Sequence, residues 1–359
     1  MEMRITVGMS GGVDSSVAAW LLKQEGHEVT GIYMVNWEEE DESGVCTAVD
    51  DYDDVRRCCD VIDIPYYTVN FSKQYRERVF SVFLEEYKAG RTPNPDVLCN
   101  SEIKFNAFLD FAIKTDAEAL ATGHYCQLAH TDDGVKLMRG ADENKDQTYF
   151  LCGLTQAQLE RAMFPIGALQ KPRVRELAQK AGLPTASKKD STGICFIGER
   201  NFSRFIGQYI KKSVGNMVDI DSGKVMAQHE GLFHYTIGQR KGIGIGGSGS
   251  GEPWFVAKKD PATGTLYICQ GKNHPALFSR GLTADKMNWI AGDAPSNSFD
   301  CTIKFRYRQK DVPCRVEVKG RRIYVRFESP QRAVTPGQYA VLYQGEECLG
   351  GGIIEQEIK

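Results

Sequence analysis

Three stretches of this sequence have residue types and spacing that can do chemistry. The first is Gly8-Met9-Ser10-Gly11-Gly12-Val13-Asp14-Ser15-Ser16. The apolar run Ile5-Thr6-Val7 before it reads as a strand, and Val17 to Leu22 after it as an amphipathic helix. A strand turning through adjacent glycines into a helix aims unbonded N–H groups and the positive end of the helix dipole at one point, which suits a phosphate. The hydroxyls of Ser10, Ser15 and Ser16 can add hydrogen bonds. A bare strand–turn–helix is the plain alternative, but it needs neither three hydroxyls nor Asp14. No lysine follows the second glycine, so the loop is not of the Walker type.

The second stretch is Thr92-Pro93-Asn94-Pro95-Asp96-Val97-Leu98-Cys99-Asn100. Two prolines one residue apart argue against a regular helix, so Asp96 and Cys99 are predicted on a stiff loop, with a helix from about 101 to 115. A cysteine just before a helix N-terminus has its thiolate favoured by the dipole, although a small apolar plug is the commoner fate of a lone cysteine. The third, Ser187 to Phe196, joins turn formers to Cys195, whose thiolate Lys188 and Lys189 can stabilise if the fold brings them near.

The elements that must position these residues alternate. Strands are predicted at Ile32–Val35, Tyr66–Val69 and Ala119–Thr122, with a helix running to about Tyr87 and another from Pro172 to near Gly182. That rhythm predicts a parallel sheet covered on both faces, with ligands at the carboxyl ends of its strands, where loop 8–16, Met34 and Gly123 all fall. A hairpin over Cys126–Arg139 leads to the polar cluster Lys145-Asp146-Gln147. A short helix near 202–209 closes a first domain, 1–211. Residues 212–275 read as a small, mostly β domain holding Tyr235–Gly242 and a glycine-rich run, 242–251, that composition favours as a tether. Alternating short strands with basic residues on one face predict a β-barrel over 276–359. There Arg306 beside Tyr307 suits a phosphate and a stacked base, or equally a plain exposed strand face.

Composition narrows the class. Net charge over 359 residues is only −3, but residues 1–80 hold 16 acidic and 7 basic side chains, 136–215 hold 7 and 14, and 276–359 hold 10 and 13. A polyanion is repelled by the first part and attracted to the later ones. Residues 38–54 carry nine acidic and no basic side chains, a solvated loop leading into a helix. Eleven cysteines without any Cys-x-x-Cys argue for a reducing compartment and against a zinc ribbon. No apolar run approaches the ~20 residues of a membrane span, so a cytoplasmic protein is expected.

Ser10 to Ser15 resembles the PP-loop of ATP pyrophosphatases, and the chain as a whole resembles the tRNA-specific 2-thiouridylases. The likeness covers nearly the full length and rests on residues 8–15, 92–100, 121–125, 145–147, 190–198 and 235–242. It implies that Gly8, Met9, Ser10, Gly11, Gly12, Val13, Asp14 and Ser15, with Met34 and Gly123, hold ATP; that Asn94, Pro95 and Asp96 meet the target base; and that His124, Lys145, Asp146, Gln147, Arg306, Tyr307 and Gln338 contact tRNA. ATP with Mg2+ then activates the C2 oxygen of the wobble uridine in tRNAs for Lys, Glu and Gln. Cys195 carries a persulfide from a donor such as a cysteine desulfurase or sulfur-relay protein, Cys99 is its partner, and Asp96 is the acid/base or base-positioning group. Release of hydrogen sulfide by Cys99, and an iron–sulfur cluster on the two cysteines, are alternative routes for the sulfur. A small-molecule PP-loop ligase and a non-catalytic RNA-binding protein are the rival readings. A monomer is expected, and the Ser187–Gly198 segment is expected to refold when tRNA binds.

Overall fold

Strand β1 (Arg4–Met9) lies at the centre of a five-stranded parallel sheet. It pairs with β2 (Glu28–Val35) on one side and β4 (Ala119–Ala121) on the other; β3 (Tyr66–Asn70) and β7 (Ala162–Met163) flank these, giving the order β3-β2-β1-β4-β7. The order reverses between β1 and β4, which opens a crevice at their carboxyl ends. The structure is a computed structural model that describes residues 2–37, 47–190, 202–246 and 251–359. Cys195 and most of its segment, the acidic residues 38–46 and part of the glycine-rich run lie outside the described residues.

Helix α1 (Val13–Gln24) follows β1 and ends at Gly26, whose φ of 86° is a left-handed stop. Helix α2 (Thr47–Ile62) packs on the same face of the sheet, burying Val55, Cys58, Cys59 and Ile62 against Val17, Ala18 and Leu22. The other face takes a helix over 72–88, which widens to a π-type turn at Arg76–Phe80, and a second over 95–114.

That second helix corrects the sequence reading. It begins at Pro95 rather than near 101, with the Asn94 side chain accepting from the Asp96 N–H at 3.2 Å. A proline breaks a helix from inside, but at the first position its fixed φ starts one and its missing N–H costs nothing. Cys99 therefore sits a full turn inside a helix, where the pull of the dipole is weaker than at the terminus.

The expected hairpin forms from β5 (Cys126–Thr131) and β6 (Gly134–Arg139), with Cys126 opposite Arg139. Its outer strand then pairs with β17 (Glu347–Ile358), more than 200 residues on, Leu137 lying opposite Cys348. The hairpin thus extends the sheet of the last unit. In that unit β12 (Phe278–Trp289) pairs with both β15 (Arg322–Arg332) and β17, while β13 (Ser298–Lys304), β14 (Val312–Lys319) and β16 (Tyr339–Gln344) complete a closed barrel around Leu282, Ile303, Val316, Val325 and Leu342. The middle unit is a four-stranded sheet of order β10-β11-β8-β9, made of β8 (Gly215–Asp219), β9 (Val225–His229), β10 (Trp254–Asp260) and β11 (Thr265–Gln270). Tyr235–Gly242 lies outside any strand, in turns after a single helical turn at Leu232–His234.

The cores explain how these parts hold together. Phe105, Phe108, Tyr149 and Leu137 share one apolar cluster with Tyr339, Val341 and Tyr343 of the barrel. The middle sheet closes on a separate cluster of its own around Met217, Trp254, Val256 and Ile268. Burial at roughly 25 cal/mol per Å2 therefore welds the first and last units to each other through side chains that neither could bury alone.

Candidate functional site

Loop 8–16 turns exactly at the crevice, and its residues divide between framework and surface. Met9 and Val13 point their side chains into the core, at 1% and 4% exposure, so only their backbone faces a ligand. The Ser15 hydroxyl bonds the Gly12 carbonyl at 3.2 Å and accepts from the Ser10 N–H at 3.1 Å; the Ser16 hydroxyl donates to the same carbonyl at 2.9 Å. Of the three hydroxyls read as phosphate ligands, only Ser10 is exposed; the other two are used to fold the loop. Gly11 has φ 72°, and a Cβ there would lie 2.6 Å from the Asp51 carbonyl oxygen of α2. Packing also requires a glycine at position 123. A Cβ on it would lie 2.6 Å from the Ser15 nitrogen, so the exit of β4 packs directly on the start of α1. Met34 is half-buried near the end of β2.

Asp14 ties this loop to the rest of the site. Its carboxylate accepts from the Tyr125 hydroxyl at 2.6 Å and from Lys171 Nζ at 2.7 and 2.8 Å. Burial and the neighbouring Asp14 push the Tyr125 hydroxyl far up, so it stays a donor. Tyr125 also exchanges two bonds with Gln147, each 2.9 Å: its N–H donates to the Gln147 Oε1 and its carbonyl accepts from the Gln147 N–H. Lys171 reaches on to Asp190 at 2.9 Å, which is also bonded by Lys145 at 2.5 Å and Arg175 at 2.8 Å. Burial alone would raise the Asp190 carboxyl, but the bonds from Lys145 and Lys171 hold it down at about 2. Lys188, by contrast, is held on Asp51 and Asp54 of α2, at 2.8 and 2.6 Å, rather than left to stabilise a thiolate.

The second half of the site is the start of the 95–114 helix and the strap that leads to it. Cys99 is 1% exposed. Asp96 stands half-buried one turn before it. Further along, Phe105 lies 6.0 Å from the His124 ring, and Phe108 lies under Gly8, 3.1 Å from where a Cβ would be. Between Cys99 and Phe108 the helical segment is π-type and kinks at Phe105, whose φ/ψ of -98°/15° is not helical. Cys126 and Cys152 are fully buried with their thiols held well up by burial, and Cys348 is pushed to about 12 by the same cause; these are apolar filler.

Strap 90–93 is gripped from outside. The Thr92 N–H donates to the Pro336 carbonyl at 3.0 Å, and Gln338 Nε2 donates to the carbonyls of Thr92 and Pro93 at 2.8 and 3.2 Å. From the middle unit, Lys259 Nζ donates to the Thr92 hydroxyl at 3.3 Å, and Pro261 packs so tightly on Gly90 that a Cβ there would lie 2.5 Å from its Cγ.

The remaining residues expected at RNA lie nearby in mixed roles. His124 is buried and shares a 2.7 Å bond with the Thr122 hydroxyl; burial first, and then Lys104, hold its ring neutral at pH 7. Asp146, 5% exposed, accepts from Gly140 N–H, Thr148 N–H and the Thr148 hydroxyl. The Tyr307 hydroxyl donates to the Lys145 carbonyl at 3.3 Å, its ring 4.4 Å from that of Phe150. One nitrogen of Arg306 donates to the carbonyls of Ile237 and Ala333 and to the Thr335 hydroxyl, bridging the middle unit and the barrel.

The sequence reading missed Lys171, Tyr125 and Arg175 as members of this cluster. A signal was available for Lys171: it opens a helix with no acidic residue in its first turn, where the dipole disfavours a cation, so something else must hold it there.

Comparison with known proteins agrees with this arrangement unit by unit. Residues 3–199 match the tRNA methyl transferase HUP domain, 203–270 the tRNA methyl transferase PRC-barrel domain and 279–354 the aminomethyltransferase beta-barrel domain. Among full-length relatives, a tRNA-specific 2-thiouridylase MnmA of Alkaliphilus oremlandii is 57% identical over 359 residues, covering 100% of this chain and 98% of the relative. Another, of Lysinibacillus sphaericus, is 57% identical and covers 100% and 96%, and one of Streptococcus thermophilus is 57% identical with the same coverage. With the sheet, the PP-loop, the Asp96–Cys99 helix and the barrel all present in one chain, the protein belongs to the tRNA-specific 2-thiouridylase family.

Proposed function

We propose that this protein catalyses ATP-dependent 2-thiolation of the wobble uridine in tRNAs for Lys, Glu and Gln. The observation that carries the reading is one helical segment, kinked at Phe105, whose first turns hold Asp96 and Cys99 and which, beyond the kink, places Phe108 under Gly8 of the PP-loop, so that a uracil and the phosphates of a nucleotide fit side by side. The C2 oxygen of the uracil is a poor leaving group. Its attack on the α-phosphorus of ATP expels pyrophosphate and leaves an O-adenylate that departs easily as AMP. The N–H groups at the start of α1 face the phosphates, and Asp96 meets the uracil. Both oxygens of Asp14, the carboxylate on the loop, are engaged by Lys171 and Tyr125, so Mg2+, when bound, would supply charge neutralisation on the pyrophosphate itself.

Sulfur arrives as a persulfide on Cys195. Its terminal sulfur attacks C2 as AMP leaves. The Cys99 thiolate then attacks the Cys195 sulfur, breaking the S–S bond, so that 2-thiouridine is released and a Cys99–Cys195 disulfide remains for an external thiol to reduce. His124, Lys145, Asp146, Gln147, Arg306, Tyr307 and Gln338 flank the tRNA in this reading. The catalytic unit is 1–211, followed by the 212–275 and 276–359 units, in a monomeric cytoplasmic enzyme. Among the described residues no helix is long and apolar enough to cross a membrane.

The test is mass spectrometry of nucleosides from tRNA incubated with protein, ATP, Mg2+ and a persulfide donor. Wild type forms 2-thiouridine, and Cys99→Ser and Cys195→Ser do not. Product from Cys195→Ser would remove that cysteine as the sulfur carrier.

A further inference from the structure

We infer that Lys171 is the pyrophosphate-binding cation of the PP-loop, holding the β- and γ-phosphates of ATP and then the leaving pyrophosphate. The inference rests on the nucleotide half of the reading above. The loop has no lysine of its own after Gly12, yet transfer of the adenylyl group puts extra negative charge on the departing phosphates, and helix N–H groups alone carry only about half a unit charge.

Among the described residues, Lys171 is the one cation bonded to loop 8–16. It comes from a distant helix, Lys171–Lys180, and its backbone N–H is fixed by Asp142 Oδ2 at 2.9 Å. The side chain is 10% exposed and its Nζ lies between two carboxylates, Asp14 of the loop and Asp190. The two partners are not equivalent. Asp14 belongs to the first turn of α1 and keeps the ammonium beside the N–H groups that face the ligand. Asp190 has Lys145 and Arg175 as further partners, so it can release Lys171 without being left as an unpaired charge. An incoming phosphate oxygen therefore replaces Asp190 on Lys171, one anion for another. The ammonium stays paired throughout, and its desolvation has already been met in the ligand-free protein.

Direct titration calorimetry of the full chain with inorganic pyrophosphate, and separately with AMP, tests this without tRNA or sulfur. Lys171→Met is expected to weaken pyrophosphate by about tenfold or more, the worth of a charge-assisted bond, while AMP changes less than about twofold. Lys171→Arg keeps most of the pyrophosphate affinity. Asp190→Asn removes the competing anion and is expected to leave pyrophosphate binding unchanged or tighter. Equal losses for AMP and pyrophosphate in Lys171→Met, or a loss in Asp190→Asn matching that in Lys171→Met, overturn the inference, because the network is then only a frame for the loop. A wild type that binds pyrophosphate but forms no 2-thiouridine leaves the inference standing and removes the proposed reaction.

Discussion

The two halves of the site are built in opposite ways. Loop 8–16 is held from within its own unit: its serine hydroxyls bond its own backbone, Gly11 and Gly123 bring α2 and β4 into contact with it, and Lys171 clasps Asp14. Strap 90–93, which sets the start of the helix carrying Asp96 and Cys99, is held from without, by Pro336 and Gln338 of the barrel and by Lys259 and Pro261 of the middle sheet. The difference teaches that the geometry of the phosphate-binding turn is set within the first unit alone. The start of the helix that carries Asp96 and Cys99 is instead set by contacts from the other two units.

Four measurements can break or sharpen that contrast. The largest effect is expected for Cys99→Ser, which loses 2-thiouridine formation by about a thousandfold or more while ATP affinity, measured by equilibrium binding without tRNA, stays at the wild-type value. An equal fall in ATP affinity would merge the two halves. Gly123→Ala is the converse. Its Cβ meets the Ser15 nitrogen at 2.6 Å, and overpacking of this kind costs about 1–3 kcal/mol, so ATP affinity falls about tenfold to a hundredfold and thermal stability falls with it.

Gln338→Ala removes both bonds to the strap, each worth about 1 kcal/mol. Turnover at saturating ATP and tRNA is expected to drop roughly tenfold with ATP affinity unmoved; an ATP effect as large as the turnover effect would show the strap and the loop to be one mechanical unit. The smallest effect concerns Lys259, whose ammonium burial pushes down to about 8. Between about pH 8 and the ordinary lysine value the unfolded chain binds more protons than the folded one, so this residue makes stability rise with pH across that window. Melting curves from pH 7 to 10 should show Lys259→Met without that rise and more stable than wild type at pH 7. The same slope in both proteins would mean that the lysine is solvated and grips nothing.

Reading the sequence recovered the parallel sheet, the middle β unit, the barrel and the family because each rests on local pattern: periods of 2 and 3.6, a Gly-Gly turn between strand and helix, and contiguous motifs. It erred where one residue has two local meanings. Pro95 was read as a breaker and proved to be a first helical residue, which buried Cys99 in a helix. Ser15 and Ser16 were read as able to bond a phosphate, and in the structure their hydroxyls bond the Gly12 carbonyl, since a hydroxyl next to a helix start bonds the backbone as readily as a phosphate.

What the sequence determined by itself is the chemistry within reach: a phosphate-binding turn, a carboxylate three residues from a cysteine, and basic units after an acidic beginning. Only the tertiary structure decided which groups serve that chemistry together. Lys171 meets Asp14 across 157 positions and Gln338 meets Pro93 across 245. Contacts at such separation follow from the order of strands in the sheet and the closure of the barrel, and no local periodicity encodes them.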